Sequence, residues 1–279
     1  MQYKINDSWI EIIGKDDFNP AHILECGQIF RYFKNEKGNY VVFSSDKRAE
    51  IEETSDGFKI LTMDPQYFVD FFNLDVDYAK IKNEITKLSP AICEAVNLCP
   101  GLRILKGEVF EIVVSFIISA NNNIKRIKLI IERLCEGLGD KKDGYYAFPT
   151  IEQMKGADEE FFKTIGAGYR AKYLSLVGEA FSLLIKEDLG AMSDIELRKK
   201  LMNIKGVGPK VADCIMLFSF NRKKIFPVDV WMERVYYEFF GKEKMSREKI
   251  SSFLTNKFGA NSGYIQQYLF FSKTAKIEK

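Results

Sequence analysis

Near residue 63 the spacing of apolar residues changes period, and that change limits the architectures open to this chain. Before it, β-rich runs alternate with turn residues. Gln28-Ile-Phe-Arg-Tyr-Phe33 and Asn39-Tyr-Val-Val-Phe43 flank Asn35-Glu-Lys-Gly38, and Arg48 to Thr54 and Phe58 to Met63 flank Ser55-Asp56-Gly57. Asp-Gly between such runs is a hairpin signal, so the first 63 residues read as strands of an antiparallel sheet. After it, Pro65 suits a first helical turn, and Tyr67, Phe68, Phe71 and Phe72 form an apolar stripe. Helices are predicted near 77–87, 107–120, 124–137, 170–187, 194–203, 210–220, 229–240, 247–257 and 261–273. Ser193 with Glu196 reads as a capping box. Strands followed by helices describe an α+β fold. The expected division is an N-terminal antiparallel sheet domain with flanking helices, 1–100, and helical domains, 101–279.

The net charge of +2 conceals an asymmetry: residues 1–120 hold 13 Lys and Arg against 19 Asp and Glu, and residues 121–279 hold 28 against 20. A basic second half suggests a polyanionic partner, although solvated faces alone can produce such a split. Cysteines 26, 93, 99, 135 and 214 form no CxxC, so neither a disulfide framework nor a zinc site is indicated. His22 is the only histidine, which excludes sites built on several. No apolar run reaches membrane-spanning length. The start MQYKINDSWIEII mixes polar and apolar residues and does not read as a signal peptide, so a cytoplasmic location is expected.

Chemistry concentrates between Leu201 and Val235. Ile204-Lys-Gly-Val-Gly208 lies between two predicted helices. Gly206 and Gly208 permit positive φ and close approach of another backbone. The turn and the following helix can offer N–H groups to a phosphate, aided by the helix dipole. A lone Gly-x-Gly is also a plain turn between helices; Lys210 and the Pro227-Val-Asp229 that follow favour the functional reading. Lys210 opens the next helix, where the dipole and burial are both expected to push its pKa down, towards a nucleophilic free amine. Asp229 begins a helix after Pro227; it can cap that helix, remain ionised beside a reacting sugar, or do both.

These motifs occur with others in a recognisable order: Cys26-Gly27-Gln28-x-Phe30-Arg31, Phe72-Asn-Leu-Asp-Val-Asp77, Asn121-Asn122-Asn123-Ile124, Gly168-Tyr169-Arg170-Ala171, Gly208-Pro-Lys-Val-Ala-Asp-Cys214 and Gln266-x-x-x-Phe270. The set resembles the helix–hairpin–helix DNA glycosylase superfamily, and within it the 8-oxoguanine DNA glycosylase branch that carries a catalytic lysine. The resemblance covers most of the chain. It implies a sheet domain packed on an all-helical pair, with the helix–hairpin–helix near 194–220. It also implies a bifunctional enzyme that flips 8-oxoguanine, opposite cytosine, out of double-stranded DNA. In that reading Lys210 attacks the sugar C1′, forms a Schiff base and permits β-elimination (the lyase step), while Asp229 stabilises the oxocarbenium-like state.

The same resemblance assigns the remaining roles. The base would be held by Gly27, Cys214, Pro227, Gln266 and Phe270: Gln266 at the Watson–Crick edge, Phe270 and Cys214 on the two faces, and the Gly27 carbonyl on the N7 hydrogen that guanine lacks. Core packing competes as an explanation for Phe270 and Cys214. Asn121 would fill the vacated position, Arg126 and Arg170 would read the cytosine and Tyr169 would act as a wedge. Helix capping competes for Asn121–Asn123 and a solvated helix face for Arg126. A monovalent cation on the carbonyls of Met202, Ile204 and Val207 is implied, and no required cofactor. Two positions depart from eukaryotic members: Trp231 replaces a histidine near a phosphate, and Lys273 replaces the aspartate that partners it. Both changed together, which reads as a rewired DNA contact. Alkyl-base glycosylases lack the lysine, and the iron–sulfur enzymes need four cysteines where none follows Cys214. The readings from other classes are a non-enzymatic DNA-binding module or a glycosylase for another damaged base. A monomer is expected.

Overall fold

The computed structural model describes residues 1–241 and 243–274. Six strands form one antiparallel sheet: β1 (Gln2–Asn6), β2 (Trp9–Ile13), β3 (Tyr32–Lys34), β4 (Tyr40–Ser44), β5 (Lys47–Glu53) and β6 (Gly57–Leu61), in spatial order β1-β2-β6-β5-β4-β3. Register follows the two-residue period. Ile10 and Ile12 face Ile60 and Phe58 across one pair, and Tyr40 and Val42 face Ile51 and Ala49 across another. All eight are buried, so a one-residue slip would expose the whole set.

The stretch expected as a strand over 28–33 is strand only from Tyr32. Gln28, Ile29, Phe30 and Arg31 are all buried; a segment covered on both sides does not alternate and leaves the sheet to cross the core. A short helix, α1 (Pro20–Leu24), also interrupts the region expected to be all strand. It starts where the Asn19 side chain accepts from the N–H groups of Ala21 and His22, with Pro20 in its first turn.

The helices are α2 (Pro65–Phe71), α3 (Tyr78–Ile85), α4 (Pro90–Leu98), α5 (Val109–Ser119), α6 (Ile124–Leu138), α7 (Ile151–Lys155), α8 (Glu159–Thr164), α9 (Ala171–Leu184), α10 (Asp194–Met202), α11 (Pro209–Phe218), α12 (Val230–Phe239), α13 (Arg247–Phe258) and α14 (Ser262–Thr274). The Ser193–Glu196 capping box is present at α10. Helices α7 and α8, of five and six residues, are too short to show a period; α4, of nine residues, was also not anticipated. Among the described residues no helix is long and apolar enough to cross a membrane.

Apolar burial divides in an unexpected place. One cluster joins the sheet, α2 and the helices from α5 to α11. A second joins Ile92, Ala95 and Val96 of α4 to Met232, Val235, Ile250, Leu254, Ile265 and Leu269 of the last three helices. Thus α4, on the sheet side of the boundary expected at residue 100, packs against the end of the chain. Arg103 ties the parts together: fully buried, it donates to the carbonyls of Phe72, Asn73, Val76 and Asp17 and lies 4.2 Å from the Tyr78 ring centre.

Candidate active site

Three distant parts of the chain meet at one small cavity. Gly27 comes from the turn after α1, Lys210, Cys214 and Phe218 from α11, Pro227 and Asp229 from the segment before α12, and Gln266 and Phe270 from α14. Cys26, Phe116 and Gln267 complete the wall, around a volume of ≈ 40 Å³. A larger cavity, ≈ 490 Å³, between Phe33, Phe43, Lys128 and Tyr145 takes Phe30 and Arg31 of the first motif into its wall but none of the residues expected to bind the base or to act on it.

Lys210 is the second residue of α11, and its Nζ sits 5.1 Å from the centre of the Phe116 ring. Cys214 follows one turn later on the same face. Burial acts to lower the lysine pKa and is the largest single influence. Cys214, Asp229 and Asp213 together outweigh it, and the net direction is upward, opposite to the expectation. The correction has a simple cause: facing negative charges favour the ammonium more than burial disfavours it. Cys214 is the largest of the raising partners, through both charge and a hydrogen bond, followed by Asp229; burial pushes the Cys214 thiol itself up to about 11. Asp213 in turn is held by Arg198 at 2.6 Å.

Asp229 caps α12, its Oδ1 accepting from the N–H groups of Trp231 and Met232 at 2.9 Å each. The same residue lines the cavity, so capping and a place at the site coexist. Gln266 is 5% exposed, and its Oε1 is buried with no hydrogen-bond partner among the described residues. A buried amide oxygen left unpaired carries a desolvation cost of roughly 1–3 kcal/mol, which a ligand donor would relieve. Gly27 has φ +75°, a conformation that favours glycine, and the Phe270 ring lies against it.

A second cluster lies at the end of α5, one turn beyond Phe116. The Ala120 carbonyl accepts from the Tyr169 hydroxyl at 3.0 Å and from Nε of Arg170 at 2.9 Å, and Arg170 Nη2 also reaches it. Arg170 further donates to the carbonyls of Asn121 and Ala167, so this side chain is buried in the protein's own backbone rather than presented to solvent. Asn121 is exposed in a left-handed conformation, φ +49°. Asn123 is the cap of α6, accepting from Arg126 N at 2.9 Å. Arg126 is exposed and donates to the Gly166 carbonyl. Burial, and secondarily the neighbouring Arg126 charge, lowers the Arg170 pKa; two close guanidiniums favour an acceptor-rich ligand.

Comparison with known proteins decides the family. Residues 12–113 match the family described as 8-oxoguanine DNA glycosylase, N-terminal domain, and residues 114–259 match the HhH-GPD superfamily base excision DNA repair protein. The chain belongs to the HhH-GPD superfamily. An N-glycosylase/DNA lyase of Saccharomyces cerevisiae is 32% identical over 265 residues, which cover 80% of this chain and 68% of that protein. N-glycosylase/DNA lyase OGG1 of Arabidopsis thaliana is 31% identical, over 74% of this chain and 61% of that one. The chain therefore spans about two thirds of the length of these curated relatives. Among solved structures, the 8-oxoguanine glycosylase/lyase of Clostridium acetobutylicum, in complex with double-stranded DNA containing cytosine opposite 8-oxoG, superposes with a TM-score of 0.91 at 33% identity, covering 99% of each chain.

The superfamily's helix–hairpin–helix is α10, the turn at 203–208 and α11. Gly206 has φ +94°, and a Cβ there would meet the Tyr173 ring at 3.0 Å, so both backbone and packing demand glycine. Gly208 is extended and a Cβ there would touch nothing within 4 Å; the protein itself does not require glycine at this position. Trp231 lies under the Arg234 guanidinium, 4.6 Å from the ring centre, while Lys273 pairs with Glu238. Each of the two altered positions thus has its own new partner. Gln266 and Phe270 lie beyond both matched regions. Sequence reading missed Phe116, Phe218 and Gln267 as wall residues; the two phenylalanines sit in continuous apolar helices, where nothing marks them out.

Proposed function

We propose that this chain is a bifunctional base excision repair enzyme that flips 8-oxoguanine, opposite cytosine, from duplex DNA and excises it through Lys210, with a lyase step to follow. The observation that carries the reading is the convergence of Lys210, Asp229, Gly27, Phe270 and a Gln266 oxygen with no hydrogen-bond partner among the described residues on one cavity. The Lys210 amine attacks C1′ as the bond to the base breaks, and the base departs with a proton. The sugar ring opens to an imine, and loss of a 2′ proton expels the 3′ phosphate oxygen. Lys210 rests as an ammonium, so it must first lose a proton; Asp229 is the carboxylate placed to influence that step and the positive charge developing on the sugar.

Gly27, Cys214, Pro227, Gln266 and Phe270 are the proposed base contacts. Asn121, Arg126, Tyr169 and Arg170 are the proposed contacts around the orphan cytosine, which requires Arg170 to release the Ala120 and Asn121 carbonyls. Gly206, Gly208 and Trp231 are proposed at the DNA backbone. The carbonyls of Met202, Ile204 and Val207 are oxygen donors of the kind a monovalent cation takes, and that of Ile204 also accepts from Val207 N at 3.0 Å; such a cation would add positive charge beside the phosphate. The reading includes a monomer, acting in the cytoplasm on chromosomal DNA. The division at residue 100 remains a working boundary.

Borohydride trapping on a duplex with 8-oxoguanine opposite cytosine tests the mechanism. A covalent adduct is expected with Lys210 and none with Lys210→Gln. Equal trapping by both proteins defeats the assignment.

A further inference from the structure

We propose that Gln267 is a positioning residue that sets the direction of the Gly27 carbonyl and thereby the discrimination between 8-oxoguanine and guanine. This rests on the function proposed above, in which that carbonyl reads the N7 hydrogen. A carbonyl can discriminate only if its direction is held, and Gly27, at φ +75°, is the residue type least able to hold itself. The peptides on either side hold it instead.

On one side stands Gln28, fully buried. Its Nε2 donates to the carbonyls of Ile23 at 2.8 Å and Arg103 at 2.7 Å, and its Oε1 accepts from Leu105 N at 2.9 Å. These bonds tie the turn to the rest of the sheet domain. On the other side, the Cys26 carbonyl belongs to the peptide that enters Gly27. It accepts from Nε2 of Gln267 at 2.9 Å, and Gln267 is 1% exposed. With this peptide plane fixed and Gln28 anchored, little rotation is left to the Gly27 carbonyl between them.

Gln267 comes from α14, the helix that also carries Gln266 and Phe270. One helix therefore presents the amide proposed to read one edge of the base and braces the carbonyl proposed to read the other. A shift of α14 would displace Gln266 and loosen the brace on the Gly27 turn at the same time. A side chain serving only to satisfy a buried carbonyl would not need this location.

Fluorescence anisotropy on the full chain carrying Lys210→Gln, with Gln267 intact or changed to Met, tests the proposal. Three duplexes are compared, bearing 8-oxoguanine, guanine or a tetrahydrofuran abasic analogue opposite cytosine. Gln267→Met is expected to lower the ratio of 8-oxoguanine to guanine affinity about tenfold, the order of one misdirected hydrogen bond, with affinity for the abasic analogue unchanged. An unchanged ratio overturns the proposal, and so does an equal loss on all three duplexes. If the Met protein does not fold, Gln267→Asn, with the amide one methylene shorter, takes its place with the same expected loss. A parent protein with no preference for 8-oxoguanine sinks the substrate reading first, before any Gln267 variant is compared.

Discussion

Replacing Asp229 with asparagine separates the tasks that one carboxylate combines. The cap survives, because asparagine accepts from the Trp231 and Met232 N–H groups as well as aspartate does. The charge is lost, and with it the attraction to Lys210. That attraction stabilises the fold wherever lysine and aspartate are both ionised. Because the folded lysine pKa is raised, this contribution is whole below the ordinary value of 10.5 and disappears as the pH climbs through the folded value. Near neutral pH its loss is expected to cost about 1–2 kcal/mol, a fall in Tm of about 3–8 °C. Asp229→Ala removes the cap too and costs roughly 1 kcal/mol more. Catalysis loses more. Removing one preorganised electrostatic partner slows a reaction by about 10²–10³-fold, or ~3–4 kcal/mol. A smaller effect opposes it: without Asp229 the Lys210 pKa moves down, making the amine easier to free. Asp229→Asn should therefore be slower at every pH, with the deficit nearly constant from pH 6 to pH 9, where Lys210 is mostly protonated in both proteins. Single-turnover excision of 8-oxoguanine opposite cytosine, with melting curves on the same samples, measures both. Activity within about threefold of the parent at pH 9, a difference of only ~0.6 kcal/mol, would refute the electrostatic role. A melting temperature equal to that of Asp229→Ala would refute the capping argument.

Four further outcomes are expected. Gly206→Ala should destabilise the fold by about 1–3 kcal/mol, because φ +94° strains any side chain and the Tyr173 ring would have to give way. Gly208→Ala should melt within about 1 kcal/mol of the parent yet bind duplex DNA more weakly, and anisotropy showing the reverse order would place the DNA backbone elsewhere. The Lys223 amine lies over the Tyr264 ring, buried without a hydrogen-bond partner among the described residues, and is pushed down to about 7 by that burial. Unfolding then takes up a proton between about pH 7 and 10.5, so stability should rise with pH across this window by ~1.4 kcal/mol per pH unit. Lys223→Met should abolish that rise and be the more stable protein at pH 7; denaturant midpoints at several pH values check it. Arg170→Ala should reduce the preference for cytosine over other opposite bases about tenfold, while excision rates opposite each of the four bases that keep the parent ranking would remove Arg170 from cytosine reading.

Much of this arrangement was legible before any coordinates. The strand period before residue 63, the capping box at Ser193 and the glycines of the hairpin are local signals, and each is present where expected. Local signals also misled. Residues 28–31 have strand-like composition but are buried on both sides, and the backbone follows the Gln28 anchors instead. Helices α7 and α8 are five and six residues long, less than two turns, and leave no period to read.

What the sequence alone determined is the set of chemical types and their order: glycines, lysine and aspartate of the hairpin segment, and the glutamine and phenylalanine near the end. Such features survive without coordinates because each depends on neighbours a few residues away. The tertiary structure decided what depends on distant neighbours. It placed α4 against α12–α14, brought Gln267 within 2.9 Å of the Cys26 carbonyl, and folded Arg170 onto Ala120. It also reversed the expected shift of Lys210. Helix position and burial can be anticipated along the chain, but the field at an ammonium is set by which carboxylates lie beside it in space. Here Cys214, one turn along the same helix, acts together with Asp229, which caps another.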